Sequence, residues 1–122
     1  MPAGGSSYQD LVVWQQAMDL ATSVYATTKT WPKDELYGLT NQARRAATSV
    51  PANIAEGYGR ELRGSYLQFL RIAQGSLKEL ETLLLIADRT GIAPTNSVSS
   101  LLASAESVGK LLRLLLRKLG EA

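Results

Sequence analysis

Five arginines fall in the middle of this 122-residue chain, and a cluster of guanidinium groups is first of all a means of holding phosphate. Arg44, Arg45, Arg60, Arg63 and Arg71 lie between residues 41 and 72 against Glu56 and Glu61, a net +3. A second basic run, Lys110, Arg113, Arg117 and Lys118, sits near the C-terminus. Helical spacing puts Lys110, Arg113 and Arg117 on one side. They read either as anion ligands or as cations compensating the carbonyl end of a helix. Asn41, Arg45, Ser49, Asn53, Glu56 and Arg60 form a polar stripe, and two readings of it stand side by side. In one, Arg44, Arg45 and Arg60 meet phosphate in a groove. In the other, Glu56 pairs with Arg60 one turn away, and Ser49 or Asn53 satisfies backbone groups freed by Pro51.

Other chemistries are excluded by residue type or spacing. The chain has no cysteine and no histidine, which removes disulfides, thiol nucleophiles, imidazole bases and zinc sites built on either residue. Glu79 and Glu81 are two apart and point to different faces of a helix, so they cannot share a metal. A di-iron bundle site needs Glu-x-x-His, which this composition forbids. The turn from Gly57 to Ser65 lacks the third glycine of a dinucleotide fingerprint and the lysine of a phosphate loop. What it retains is Arg60 and Arg63 beside the start of a long helix, where free amides favour anions; a glycine-rich turn carrying solubilising charge is the alternative. No spacing points to a Ser-Lys dyad. The expectation is a protein that is not an enzyme and uses no cofactor.

The residues that would position these groups form four amphipathic stretches. Apolar residues make up 45% and charged residues 20% of the chain, with a net charge of +2, which suits one globular domain and not a polybasic tail. Met1 to Ser7 reads as a flexible tail and residues 8–122 as the bundle domain. The first stretch runs from about Asp10, its N-cap, to Thr30, with Leu11, Trp14, Met18, Ala21, Tyr25 and Thr28 on one face. Trp31-Pro32 ends it. The second starts near Asp34 and places Leu36, Leu39, Ala43, Ala46, Val50 and Ile54 together. Pro51 lies inside it, and the unbroken period reads as one helix kinked there; two shorter helices are the alternative.

The third stretch, Arg63 to Thr90, carries Tyr66, Leu70, Ala73, Leu77, Leu80, Leu84 and Ala87 in a four-three repeat, closed by Gly91. A second row, Phe69, Ile72, Leu83 and Ile86, requires it to bury two flanks. The fourth begins after Pro94, capped by Thr95 or Asn96, with Val98, Leu102, Ala105, Leu112, Leu115 and Leu119. No segment alternates with period two. The reading is an all-α, antiparallel up-down four-helix bundle. Trp14, Tyr25, Tyr66 and Phe69 read as core or interface residues, with Trp31 and Tyr58 partly exposed. The longest apolar run, Leu111 to Leu116, is interrupted by Arg113 and too short to span a bilayer, so no membrane partner and a cytoplasmic location are expected.

Part of this chain carries a familiar pattern. Tyr37-Gly38-Leu39-Thr40, Gln42, Arg44-Arg45-Ala46-Ala47 and Ser49 through Gly57 resemble the four-helix-bundle protein family named after intervening sequences in bacterial 23S ribosomal RNA genes. Tyr8-Gln9-Asp10-Leu11 and Val13-Trp14-Gln15 are similar to its first-helix pattern. Phe69-Leu70, Ile72-Ala73, Gly75-Ser76-Leu77 and Glu79-Leu80-Glu81 are similar to its third. The resemblance covers roughly residues 8 to 92 and implies a homopentameric ring of helical bundles. A related branch, the accessory proteins of diversity-generating retroelements, implies nucleic-acid binding and a reverse transcriptase as protein partner.

Taken together, the residues predict a non-enzymatic homo-oligomer, a pentamer by resemblance. It would bind RNA or DNA weakly and without sequence preference through Arg44, Arg45, Arg60, Arg63, Lys110, Arg113 and Arg117. Repeating such patches around a ring multiplies weak contacts to a polyanion. The alternative is a structural or adaptor protein for another polypeptide, marked by an exposed apolar patch.

Overall fold

A computed structural model describes residues 7–120. The tail expected at the N-terminus lies, but for Ser7, outside the described residues. Four helices make up the fold: α1 Val12–Thr28, α2 Leu39–Gly59, α3 Arg63–Arg89 and α4 Thr95–Lys118. There is no strand among the described residues. Each helix packs on its sequence neighbours and α1 closes on α4, while the backbones of the diagonal pairs do not approach. The result is an all-α four-helix bundle around a single apolar core.

Helix α1 starts later than its sequence suggests. Asp10 does not cap it: its carboxylate accepts from the Ser7 amide (3.0 Å) and the Ser7 hydroxyl accepts from Gln9 (3.1 Å), so the pair closes a 3-10 turn at Tyr8–Asp10. The buried stripe of α1 is Val13, Ala17, Leu20, Ala21, Val24 and Thr28. Met18 and Tyr25, expected in the core, are 37% and 42% exposed. The two stripes lie side by side with the same period, and the interior takes the one with smaller side chains, which lets the helices approach closely. Trp31, expected to be partly exposed, is buried at 5%.

A 3-10 turn at Lys33–Glu35 precedes α2, which begins at Leu39 and not near Asp34. Glu35 Oε1 accepts from the Leu39 amide at 3.1 Å and so supplies the missing N-cap from upstream. Leu36 is consequently outside the helix and 43% exposed. Helix α2 continues through Pro51, so the two-helix alternative falls. Near its end it presses on α3: a Cβ on Gly57 would sit 2.7 Å from Phe69 Cβ and 3.2 Å from Tyr66 Cδ1.

Helix α3 follows its heptad, with Leu70, Ala73, Leu77, Leu80, Leu84 and Ala87 buried. Its second row is not buried as a row: Leu83 is, but Ile72 and Ile86 are 44% and 43% exposed. The helix stops on Gly91, at φ 75°, with Ile92 N–H donating to the Ala87 carbonyl and Gly91 N–H to Asp88, a Schellman motif. Neither Thr95 nor Asn96 caps α4; Pro94 holds that position, and the Thr95 hydroxyl donates to Asp88 Oδ1 at 2.7 Å. On α4, Leu101 and Leu116 are buried in place of their neighbours Leu102 and Leu115, Val108 joins the core, and Leu119 is only partly buried.

Candidate nucleic-acid interface

The seven basic residues singled out from the sequence do not converge on one face. Arg44 and Arg45 are adjacent on α2 and therefore diverge by about 100°. Arg44 turns toward α1, where its Nε donates to Thr28 Oγ1 at 2.9 Å and its guanidinium carbon lies 4.9 Å from the Tyr25 ring centroid. Thr28 is itself oriented, donating to the Val24 carbonyl at 2.7 Å. Arg45 turns toward α3 and lines a polar groove with Gln42, Ser49, Ser76 and Glu79.

Along that α2–α3 seam Ser49, Asn53, Glu56 and Arg60 of the polar stripe are engaged internally. The Ser49 and Ser76 hydroxyls are 2.7 Å apart, and Asn53 Nδ2 donates to Ser49 Oγ (2.9 Å) and to the Ser49 carbonyl (2.7 Å). Asn53 thus reaches a carbonyl of the same turn, not that of Ala47, whose partner amide Pro51 removes. Arg60 pairs with Glu56 at 3.1 Å and lies over the Phe69 ring at 5.0 Å. Arg63 reaches across the bundle and donates through Nε to the Leu119 carbonyl at the end of α4. There it satisfies one of the acceptors that a helix end leaves open.

The remaining cations assemble elsewhere. A groove of about 340 Å³ between α3 and α4 is lined by Arg71, Gln74, Gly75, Leu77, Lys78, Gly109 and Arg113. No carboxylate is among these lining residues. Lys78 also pairs with Glu81 at 3.0 Å, and Lys110, on the neighbouring turn of α4, with Glu106 at 3.4 Å. Arg117 is exposed one turn beyond Arg113. Of the predicted ligands, then, Arg113 alone lines this groove, with Lys110 and Arg117 on its α4 side. Arg71 and Lys78 were missed as ligands. Their seven-residue spacing on α3 was the available signal, but nothing in the sequence sets which α4 turn lies opposite.

A different surface lies between α1 and α2. Its groove of about 480 Å³ is predominantly apolar and aromatic, with Tyr8, Trp14, Met18, Tyr25, Pro51 and Ala55 among its walls and Lys29 at one end. Tyr8 and Trp14 meet edge to face at 5.3 Å. Near the Gly57 contact, the Tyr66 hydroxyl is buried without a hydrogen-bond partner, and its pKa is pushed up to about 12 by burial and, secondarily, by Tyr58. The Trp31 indole N–H is likewise buried and unpartnered. Among the described residues no three His, Cys, Asp or Glu side chains converge as metal ligands. No helix there is long and apolar enough to cross a membrane.

The family model described as 23S rRNA-intervening sequence protein matches residues 9–114. A solved structure from Bacteroides thetaiotaomicron, described as a protein of unknown function from the S23 ribosomal protein family, superposes with a TM-score of 0.81 at 23% identity. The superposition covers 87% of this chain and 96% of that one, a likeness of fold. No curated protein matches the sequence.

Proposed function

The chain belongs to the 23S rRNA-intervening sequence protein family, and from that premise we propose that it is a non-enzymatic cytoplasmic bundle that self-assembles and binds nucleic acid through its α3–α4 face. The observation that carries this reading is the groove that Arg71, Lys78 and Arg113 line together, Lys78 also pairing with Glu81. Guanidinium and ammonium groups at such a groove contact phosphate oxygens, which are common to every sequence, so affinity is set by charge and salt and not by base identity. Lys110 and Arg117 extend the patch along α4. A net charge of +2 makes each single contact weak. A ring of copies, five by resemblance, repeats the patch and converts weak contacts into useful avidity.

The sequence-based choice of ligands is narrowed by this reading. Arg44 is committed to α1, Arg60 to Glu56 and Phe69, and Arg63 to the end of α4. Fluorescence anisotropy with labelled structured RNA and duplex DNA, at low and near-physiological salt, tests the proposal. Lys78→Gln with Arg113→Gln should weaken RNA and DNA binding alike and lower the salt slope by about one for each phosphate no longer neutralised. Absence of wild-type binding at low salt would overturn it. A second reading, a protein-binding adaptor, is favoured by the apolar α1–α2 groove. It predicts association with a polypeptide that is insensitive to salt.

A further inference from the structure

Tyr37 stands 91% exposed, the most solvent-exposed large hydrophobic side chain among the described residues, with Leu36 beside it at 43%. The backbone holds them out. Leu36 N–H donates to the Lys33 carbonyl (3.1 Å), Gly38 N–H to Glu35 (3.0 Å), and the Glu35 side chain caps α2 at Leu39 (3.1 Å). Upstream, buried Trp31 pins the other end of the connection. A projection fixed at both ends cannot fold back over its own bundle. It also loses little conformational entropy on docking, which is what makes a rigid aromatic an effective anchor.

We propose that Leu36 and Tyr37 of one copy insert into the α1–α2 groove of a second copy. The groove has the matching chemistry. Trp14, Met18 and Tyr25 offer apolar and aromatic walls, and Thr22 and Thr48 place hydroxyl oxygens among them. Both hydroxyls already donate, Thr22 to the Asp19 carbonyl and Thr48 to Arg44 and Arg45. Their lone pairs therefore remain to accept the Tyr37 hydroxyl proton. Charge agrees as well. Lys29 at the groove and Asp34 on the projection are both exposed, and no ion pair links either to another described residue. The two surfaces differ, so the contact is head-to-tail and generates a ring or a filament, not a two-fold dimer.

The inference rests on the self-association part of the proposed function, and the experiment separates the two. Light scattering after gel filtration gives the mass of the full chain, of Tyr37→Ser and of Met18→Glu, each checked for helicity by circular dichroism. Both substituted positions are exposed, so both variants should remain folded. Wild type is expected as a multimer and each variant as a monomer. An equimolar mixture of the two variants retains one intact projection and one intact groove, and should form a heterodimer and nothing larger. Asp34→Lys should weaken assembly by about fivefold, as loss of an exposed ion pair does, with recovery in Asp34→Lys/Lys29→Asp. A monomeric wild type would overturn self-association itself. A multimeric wild type with a multimeric Tyr37→Ser, or a mixture that stays monomeric, would overturn the projection-in-groove contact alone.

Discussion

The two sides of α3 are built from similar residues and have opposite fates. Facing α2, its serine, glycine-contacting aromatics and neighbouring arginine are closed up: Ser76 bonds Ser49, Phe69 and Tyr66 pack on Gly57, and Arg60 is held by Glu56 over Phe69. Facing α4, Gly75 has open space above it, and Arg71, Lys78 and Arg113 border a groove. What becomes of an arginine is thus decided less by how many cations lie nearby in sequence than by the groups its own helix and the neighbouring helices place within reach. Where a neighbouring helix presents a hydroxyl, a carbonyl or an aromatic face, as for Arg44, Arg63 and Arg60, the arginine becomes part of the fold.

Substitutions can sharpen this contrast. The largest effect is expected from Gly57→Ala, which forces a methyl group against Phe69 and Tyr66 and should cost about 1–3 kcal/mol in urea unfolding. An unchanged midpoint would show that α2 and α3 can separate at Gly57 without penalty. Next, Arg44→Ala removes a hydrogen bond and a cation–π contact and should cost about 1–2 kcal/mol while leaving nucleic-acid affinity nearly intact. Arg113→Ala should do the reverse, lowering affinity with little change in stability. If the two behave alike, the division between structural and available arginines fails.

Tyr66→Phe should gain about 1 kcal/mol, because it deletes a buried hydroxyl that has no partner. It should also alter the alkaline limb. With a pKa of about 12 when folded and the ordinary tyrosine value of 10.0 when unfolded, the native state keeps the Tyr66 proton while the unfolded chain releases it. The resulting stability is complete below pH 10 and lost as pH rises toward 12. Wild type should therefore lose more stability than Tyr66→Phe across that window in thermal melts. The smallest effect belongs to Gly75→Ala, on the open side of α3. It should stabilise the helix by about 0.5–1 kcal/mol, opposite in sign to the same change at Gly57.

How far the residues alone lead differs from helix to helix. The α3 heptad from Leu70 to Ala87 was legible because its leucines and alanines form one long stripe, but the exposure of Ile72 and Ile86 in the row beside it was not. On α1, Trp14, Met18 and Tyr25 compete with Val13, Leu20 and Val24, and both sets satisfy the same period. The 3-10 turns escaped notice because Asp10 and Glu35 look like residues of a first helical turn, whereas their carboxylates accept from Ser7 and Leu39. As for the site, Arg113 with Lys110 and Arg117 was found by spacing, but the pairing of Arg113 with Arg71 and Lys78 was not.

Helical period, the heptad of α3, the Gly91 stop and the absence of thiol and imidazole chemistry all follow from the sequence, because each depends on residue type or on neighbours within a turn or two along the chain; that α2 runs unbroken through Pro51 does not. Which stripe of α1 enters the core, which arginines are consumed, and where Tyr37 is held depend on the rotation and register of one helix against another. Those were decided by the tertiary structure, because the close contact at Gly57 and the shared core set how the helices face one another, and no local interaction encodes it.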